Sequence, residues 1–340
     1  MSVFALTATG VGSWPGVDPL VPAAVVLGEL GGAGGLPYLP ELPARGAGAD
    51  MIGRTAAMLV DLPVDVSPSG YRLSTRPGAL WRRARELMQR DIDAFEEHWE
   101  RGNHRAHVRA VKIQITGPVT LAASLELVNG HPALDDKGAT RDVAESLAEG
   151  VTRAVAELTR RLGVPIVVQI DEPRLSAALH GEIRGVSVLQ PARTPPAAEA
   201  EGLLSVVAGA CASAMVHVCS HSIPWSLLSA LPVSAVNVPL ADAGRAVDRE
   251  FIEGCAEFLD SGRTVVFGVV PVGGERAGTS AAQLAERVLA LGSAAGFAPA
   301  GLVQRAGISP ECGLAGVSVR AAQHVTRLTR EVAEQLQEAR

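Results

Sequence analysis

Lysine is nearly missing from this chain of 340 residues: Lys112 and Lys137 are the only two. Cysteine is scarce at four residues, and aromatic residues make up 4%. Four cysteines cannot build the disulfide framework of a small secreted domain, so a cytoplasmic, thiol-reducing compartment is expected. Few stacking rings and a net charge of −6, from 30 basic and 36 acidic residues, argue against a nucleic-acid-binding surface. No apolar run reaches the roughly 20 residues that cross a bilayer. The opening MSVFALTATG has no basic residue ahead of its apolar stretch, so no secretory signal is expected either. What remains is 47% hydrophobic against 19% charged, enough to fill a large core.

Short apolar, β-branched runs alternate along the chain with longer amphipathic ones. Strands are expected at 4–10, 36–39, 111–115, 165–170, 214–218, 235–238, 264–269 and 301–307. Helices are expected at 79–102, 139–162, 196–210, 280–295 and from 317 to about 338. Continuous apolar strands such as Ile166-Val167-Val168 suit a parallel sheet covered on both faces. The pattern predicts one (β/α)8 TIM barrel over residues 1–340, with a doubly wound open sheet as the alternative.

Polar residues gather where strands are expected to end. Ser13, Glu41, Thr116, Asp171, His217, Cys219, Asp242 and Cys312 all follow apolar runs. Barrel enzymes build their sites from these C-terminal strand ends, so the clustering points to an enzyme. Within it, His217-Val218-Cys219 puts an imidazole and a thiol two residues apart, on one face of an extended segment. With Cys312 as a third donor, the set of one nitrogen and two sulfurs suits Zn²⁺; incidental thiols beside a strand-end histidine are the plain alternative. His221 is a competing ligand, though its position suggests the following loop. Gln169-Ile170-Asp171-Glu172-Pro173 offers two carboxylates for an ammonium group or for acid–base work, or else a helix cap. Gly10-Val11-Gly12-Ser13 would let a substrate carboxylate reach backbone N–H groups, with Ser13 adding a hydroxyl.

Five motifs together resemble the catalytic barrel of cobalamin-independent methionine synthase. In order they are Gly12-Ser13-Trp14-Pro15, Ile115-Thr116-Gly117-Pro118-Val119-Thr120, Gln169-Ile170-Asp171-Glu172-Pro173, His217-Val218-Cys219 and Ser309-Pro310-Glu311-Cys312-Gly313-Leu314. The resemblance implies a zinc-dependent methyltransferase acting on homocysteine. It implies His217, Cys219 and Cys312 as zinc ligands, and Val11, Gly12 and Ser13 as the cradle of the amino acid's carboxylate. Asp171 would hold the ammonium and act at the catalytic centre, with Glu41 as a second carboxylate for it.

The chain also departs from that family. Where the family's fourth zinc ligand is a glutamate, the chain reads Val236-Asn237-Val238-Pro239, and the nearest carboxylate is Asp242. The folate-stacking tryptophan is replaced within Leu121-Ala122-Ala123-Ser124, and a pterin-binding carboxylate by Ala177. The proton-donating histidine is missing from Gly268-Val269-Val270-Pro271-Val272-Gly273. The zinc and amino-acid half is expected to be present, and the folate half largely absent. The methyl donor therefore stays open between folate, a sulfonium and a methyl-corrinoid protein. Two other readings also stand: a metal-independent enzyme of the uroporphyrinogen decarboxylase type, and a non-catalytic homologue that binds zinc or an amino acid.

Overall fold

In Val111-Lys112-Ile113-Gln114-Ile115-Thr116 every second residue is β-branched and apolar, which favours an extended strand with two unlike faces. The computed structural model, which describes residues 3–186, 190–220, 222–240, 247–273 and 278–339, makes this segment one wall of a closed barrel. The chain enters through α1 (Leu20–Leu30) and α2 (Met51–Ala56), then a hairpin of β1 (Val64–Ser67) and β2 (Gly70–Leu73). After α3 (Ala79–Arg101) come β3 (Val111–Thr116), α4 (Pro118–Ala122), the short β4 (Leu125–Glu126) and α5 (Lys137–Leu162). The alternation continues with β5 (Ile166–Asp171), α6 (Leu175–Leu179), α7 (Ala197–Gly209), β6 (Ala214–His217), α8 (Trp225–Ala230) and β7 (Ala235–Pro239). It ends with α9 (Arg249–Asp260), β8 (Thr264–Val270), α10 (Ala281–Ala294), α11 (Pro299–Val303), β9 (Ala306–Pro310) and α12 (Val319–Glu338).

β3, β5, β6, β7, β8 and β9 pair in that order as one parallel sheet. Two further segments close it. Ala8 bridges both Ile308 and Gly35, and Tyr38 bridges Lys112, all in parallel sense. The result is a TIM-like (β/α)8 barrel in which the first two walls are single bridges rather than full strands. The expected strand at 4–10 is shortened by a turn over residues 3–6, where Leu6 has a left-handed φ of 59°. The expected strand at 301–307 is shifted: Pro299 in the first turn starts α11, and pairing begins only at Ala306. The hairpin β1–β2, which pairs with β4 beside the barrel, has no counterpart among the expected strands. The long helices fall within two residues of their expected ends, held by caps from Asp136, Ser280 and Ser318. No described helix is long and apolar enough to cross a membrane.

The interior of the barrel is layered. Phe4, Leu36, Ala110, Val167, Met215, Ala235 and Val266 form an apolar plug at the N-terminal ends of the strands. Above it, the inward residues turn polar: Lys112, Gln169, His217, Asn237 and Ser309, all buried. Outward residues such as Ile113, Val168 and Val216 join the much larger core between sheet and helices. A layer rich in polar groups needs internal hydrogen bonds, and its partners define the site described below.

One strand-end carboxylate is structural. Glu172 is fully buried and turns toward α4, where it accepts from the Val119 and Thr120 N–H groups, each at 2.9 Å, and from the Thr120 hydroxyl at 2.6 Å. It thus satisfies donors that Gly117, having no side chain, leaves free at the helix start. Burial nonetheless pushes its pKa up to about 7, against those hydrogen bonds. A Cβ on Gly117 would overlap Glu172 Oε1, so Gly117→Ala should displace the cap. The expected loss is about 2–4 kcal/mol of unfolding free energy, read from urea denaturation. An unchanged midpoint would show that the carboxylate can move away freely.

Candidate active site at the barrel mouth

Strand register assembles the site. Thr116 pairs with Asp171, Asp171 with His217, and His217 with Asn237, so four polar residues line up across β3, β5, β6 and β7. Asp171 is buried, and its Oδ1 accepts from Gln169 Nε2 at 2.6 Å. Burial raises its pKa well above the ordinary carboxylate range and Glu41 adds to the rise, while Lys112 and the Gln169 hydrogen bond oppose it. A carboxylate this short of counter-charge is suited to receive a cation.

The glycine turn and Glu41 are joined by their backbones. Glu41 N–H donates to Gly12 O at 3.1 Å and Trp14 N–H to Glu41 O at 2.7 Å. Ser13 O accepts from Leu314 N–H at 2.9 Å, which ties the turn to the segment carrying Cys312. A Cβ on Gly12 would run into the Gln114 side chain, so the turn lies against the barrel wall only because Gly12 has none. Glu41 is buried with Arg54 Nε 3.6 Å away; desolvation raises its pKa, and Arg54 and Lys112 pull it back.

Hydrogen bonds fix the orientation of His217. Its Nδ1 lies 2.5 Å from Asn237 Oδ1, and Asn237 Nδ2 donates to Ser309 Oγ at 2.7 Å. Because the amide oxygen can only accept, Nδ1 carries the proton and Nε2 keeps its lone pair. Burial lowers the imidazole pKa to about 4, so it is neutral at physiological pH. Cys219 and Cys312 both reach solvent at the mouth. Partial desolvation pushes the Cys219 thiol up to about 11, with Cys312 and Asp171 adding to the rise; Cys312 is raised chiefly by desolvation too, and also feels Asp171. Each thiol therefore senses the same carboxylate. The donor set, a neutral imidazole with a fixed tautomer and two thiols, has the chemistry of a zinc site. Among the described residues no three such donors are drawn together closely enough to hold an ion. Asp242 and His221 lie outside the described residues.

Sequence reading missed the layer beneath this row. Lys112 Nζ donates to Gln169 Oε1 at 2.7 Å, and to Gln114 Oε1 and Val11 O at 3.2 Å each. Gln169 Nε2 also donates to Val11 O at 2.7 Å. The available signal was period-two alternation: Lys112, Gln114 and Thr116 share one face of an apolar strand. Arg54, held by Asp91 at 2.6 Å behind Glu41, carried no such signal. Elsewhere around the mouth, Leu121 and Ala122 are buried within α4, which follows β3, and Val269 and Val270 are buried in β8. Neither segment brings an aromatic ring or a titratable group.

The sequence profile of the cobalamin-independent synthase catalytic domain matches residues 5–335. No match is found among curated proteins. Among solved structures, the chain is similar to a B12-independent methionine synthase from Shewanella sp. W3-18-1 in complex with selenomethionine. That likeness has a TM-score of 0.64 at 12% identity, covers 98% of each chain, and speaks to the fold alone. An endo-beta-1,4-mannanase from Cellulomonas fimi is more distant, with a TM-score of 0.37 at 15% identity over 70% of this chain and 58% of its own; it carries no argument.

The His217 environment predicts an acid sensitivity in chelator-treated protein. The folded state holds this imidazole neutral down to about pH 4, whereas in the unfolded chain it titrates near 6.5. Below 6.5 the unfolded state binds the extra proton, so stability from this group is complete above 6.5 and is lost as pH falls toward 4. The gap corresponds to about 3 kcal/mol. The raised carboxylates act in the opposite sense, so the quantity to measure is the difference between wild type and His217→Gln. That difference should shrink as pH falls from 6.5 to 4; a flat difference would mean the imidazole is not held neutral.

Proposed function

We propose, on the premise that this chain belongs to the cobalamin-independent synthase catalytic-domain family, that its barrel mouth binds homocysteine beside Zn²⁺ and methylates it from a donor other than folate. Membership makes the chain a methyltransferase domain, and the family's reaction is methyl transfer to homocysteine. We read residues 1–340 as one such catalytic barrel, working in the cytoplasm where thiols stay reduced. The observation that carries the reading is the row in which Asp171 stands opposite His217 in strand register, with Cys219 and Cys312 under the influence of that same Asp171. An α-amino thiol presents an ammonium and a sulfur within one short molecule, and this row offers a partner to each.

In this reading Asp171 and Glu41 hold the ammonium, and the Val11–Gly12–Ser13 turn holds the carboxylate. His217, Cys219 and Cys312 would hold the ion, with Asp242 as the nearest carboxylate for a fourth position. Zinc, when bound, keeps a coordinated thiol deprotonated at neutral pH. The chain's own residues fix the amino acid at its charged end so that the sulfur meets the methyl carbon in line. The new S–C bond forms as the donor's bond to that carbon breaks, its electron pair leaving with the donor. A tertiary-amine donor needs its nitrogen protonated as it leaves, and the buried segments at Leu121–Ala122 and Val269–Val270 supply neither an acid nor a stacking ring. A sulfonium or a methyl-corrinoid protein leaves without that proton. The methionine analogue named for the Shewanella structure agrees with an amino-acid product at such a mouth.

Cys219→Ala and Cys312→Ala should each lose stoichiometric zinc, because one thiolate and one imidazole hold the ion too weakly. Asp171→Asn should keep the zinc and weaken methionine binding by about tenfold to a hundredfold, the worth of a charge-assisted hydrogen bond of roughly 1.5–3 kcal/mol. Metal analysis and calorimetry read both. Full zinc in the two cysteine variants would favour the metal-independent reading, and unchanged binding in Asp171→Asn would move the substrate elsewhere.

The donor is tested by turnover. Homocysteine methylation should be slow from methyl-folate with either short or long polyglutamate tails, and faster from a sulfonium or a methyl-corrinoid protein. Efficient folate turnover would overturn the donor assignment. No turnover with any donor would favour a binding protein.

A further inference from the structure

Lys112 is fully buried inside the barrel, and methyl transfer as derived above makes no use of it. An ammonium in such a place is costly unless its surroundings answer it. Three oxygens do: Gln169 Oε1, Gln114 Oε1 and Val11 O. The Tyr38 ring centroid lies 5.1 Å from Nζ on another side. Because Lys112 claims the oxygen of Gln169, the amide nitrogen must point away, and there it donates to both Asp171 Oδ1 and Val11 O. Gln114, oriented by the same ammonium, donates from Nε2 to Leu39 O at 2.6 Å, on the segment that leads to Glu41. One cation thus sets the position of the turn proposed for the substrate's carboxylate and of a carboxylate proposed for its ammonium.

Charged groups face this cluster from several elements. Asp171 on β5 and Glu41 after the second wall favour charged Lys112, while burial opposes it and brings its pKa down to about 7. His217 on β6 is neutral, and Glu172 is turned away toward α4. Behind Glu41, Arg54 of α2 meets Asp91 of α3 at 2.6 Å, and Arg45 meets the same Asp91 oxygen at 2.7 Å. Asp91 thus answers Arg45 and Arg54, which leaves Asp171 and Glu41 as the carboxylates that face Lys112. A substrate ammonium arriving at Asp171 and Glu41 competes with Lys112 for the same two carboxylates, although the zwitterion that carries it is neutral as a whole.

We propose that Lys112 is the positioning residue and resident counter-cation of the amino-acid pocket, holding Gln169, Val11 and Asp171 in place and giving its proton to solvent as the substrate's ammonium binds. The inference rests on the amino-acid reading of the preceding subsection. The proton leaves Nζ for buffer, the lysine nitrogen keeps the electron pair, and the substrate enters as its ordinary zwitterion.

The test is calorimetric titration of L-methionine into the zinc-loaded protein at several pH values from 6 to 9, in paired buffers of different ionisation enthalpy. Wild type should release up to about one proton per methionine near pH 7, fading where Lys112 is already neutral. Lys112→Met should weaken binding by about tenfold or more and abolish the release. Gln169→Leu keeps the lysine and guards against a misfolded first variant: its affinity should fall while release per bound methionine persists. Methionine binding by wild type without proton release overturns the inference and leaves the amino-acid pocket standing. Release that persists in Lys112→Met moves the proton to a carboxylate and overturns it equally. Wild type that binds no methionine at any pH overturns the amino-acid reading, and this inference with it.

Discussion

Parallel pairing in a closed barrel fixes which residues can meet, and the rest of the site depends on it. The pairing of Asp171 with His217 sets a carboxylate beside an imidazole without either needing a flexible loop. One further step along the same ladder sets Asn237 beside His217, and its amide decides which ring nitrogen is free. A slip of one residue in β6 would turn His217 outward into the helical layer and bring Val216 in. Precision of this kind comes from backbone hydrogen bonds, which are insensitive to what occupies the mouth. The parts contributed by loops, the Gly12–Ser13 turn and Cys312, are in turn tied to each other through Leu314 and Ser13.

The same closure makes the polar layer expensive. Lys112, Gln169, Asp171, His217 and Asn237 are all buried, and desolvation is the largest influence on Lys112, Asp171 and His217. In each of these three, burial works against the charged form. Replacing buried ion pairs by apolar residues of similar volume is often neutral or stabilising, so a layer of this kind is weak evidence of a stabilising role. Groups kept short of counter-charge are also the ones that gain most when a zwitterion or a metal ion arrives. The apolar plug below, from Phe4 to Val266, supplies stability that the layer above does not.

Much of this arrangement could be read from the sequence, for identifiable reasons. Runs such as Ile166-Val167-Val168 and the capped amphipathic helices announce themselves by local chemistry, and their observed limits lie close to the expected ones. Strand-end polar residues were found because barrel topology sends them to one rim. Other features differ from that reading or escape it, the β1–β2 hairpin among them. The first two walls pair through isolated bridges, so their local pattern is weaker than their role. Within 301–307 the apolar pair Leu302-Val303 suits either element, and local pattern alone does not separate a short helix after Pro299 from the strand that follows it. Lys112 escapes notice because a lysine is ordinarily a surface residue; only its alternation with Ile113 and Ile115 marks it as inward. The Asp171–Glu172 pair also splits in space: one carboxylate faces the mouth, and the other caps α4.

That split bears on which parts of the mouth keep polar groups free for a ligand. On the side of β5 and β6, each polar group has a partner that orients it, and the partners are themselves anchored to the barrel wall. Around α4 and the end of β8, Leu121, Ala122, Val269 and Val270 are packed into the core, and the polar network beside α4, Glu172 with Val119 and Thr120, is spent on the helix start rather than left to a second reactant. A folate needs such a network, because its departing nitrogen must gain a proton at the moment its bond to carbon breaks. A donor that carries its own positive charge, or is itself a protein with its own binding surface, needs from this chain only an unobstructed approach to the sulfur. On the proposed reading, the mouth is half of a bisubstrate site, specific toward the amino acid and permissive toward whatever brings the methyl group.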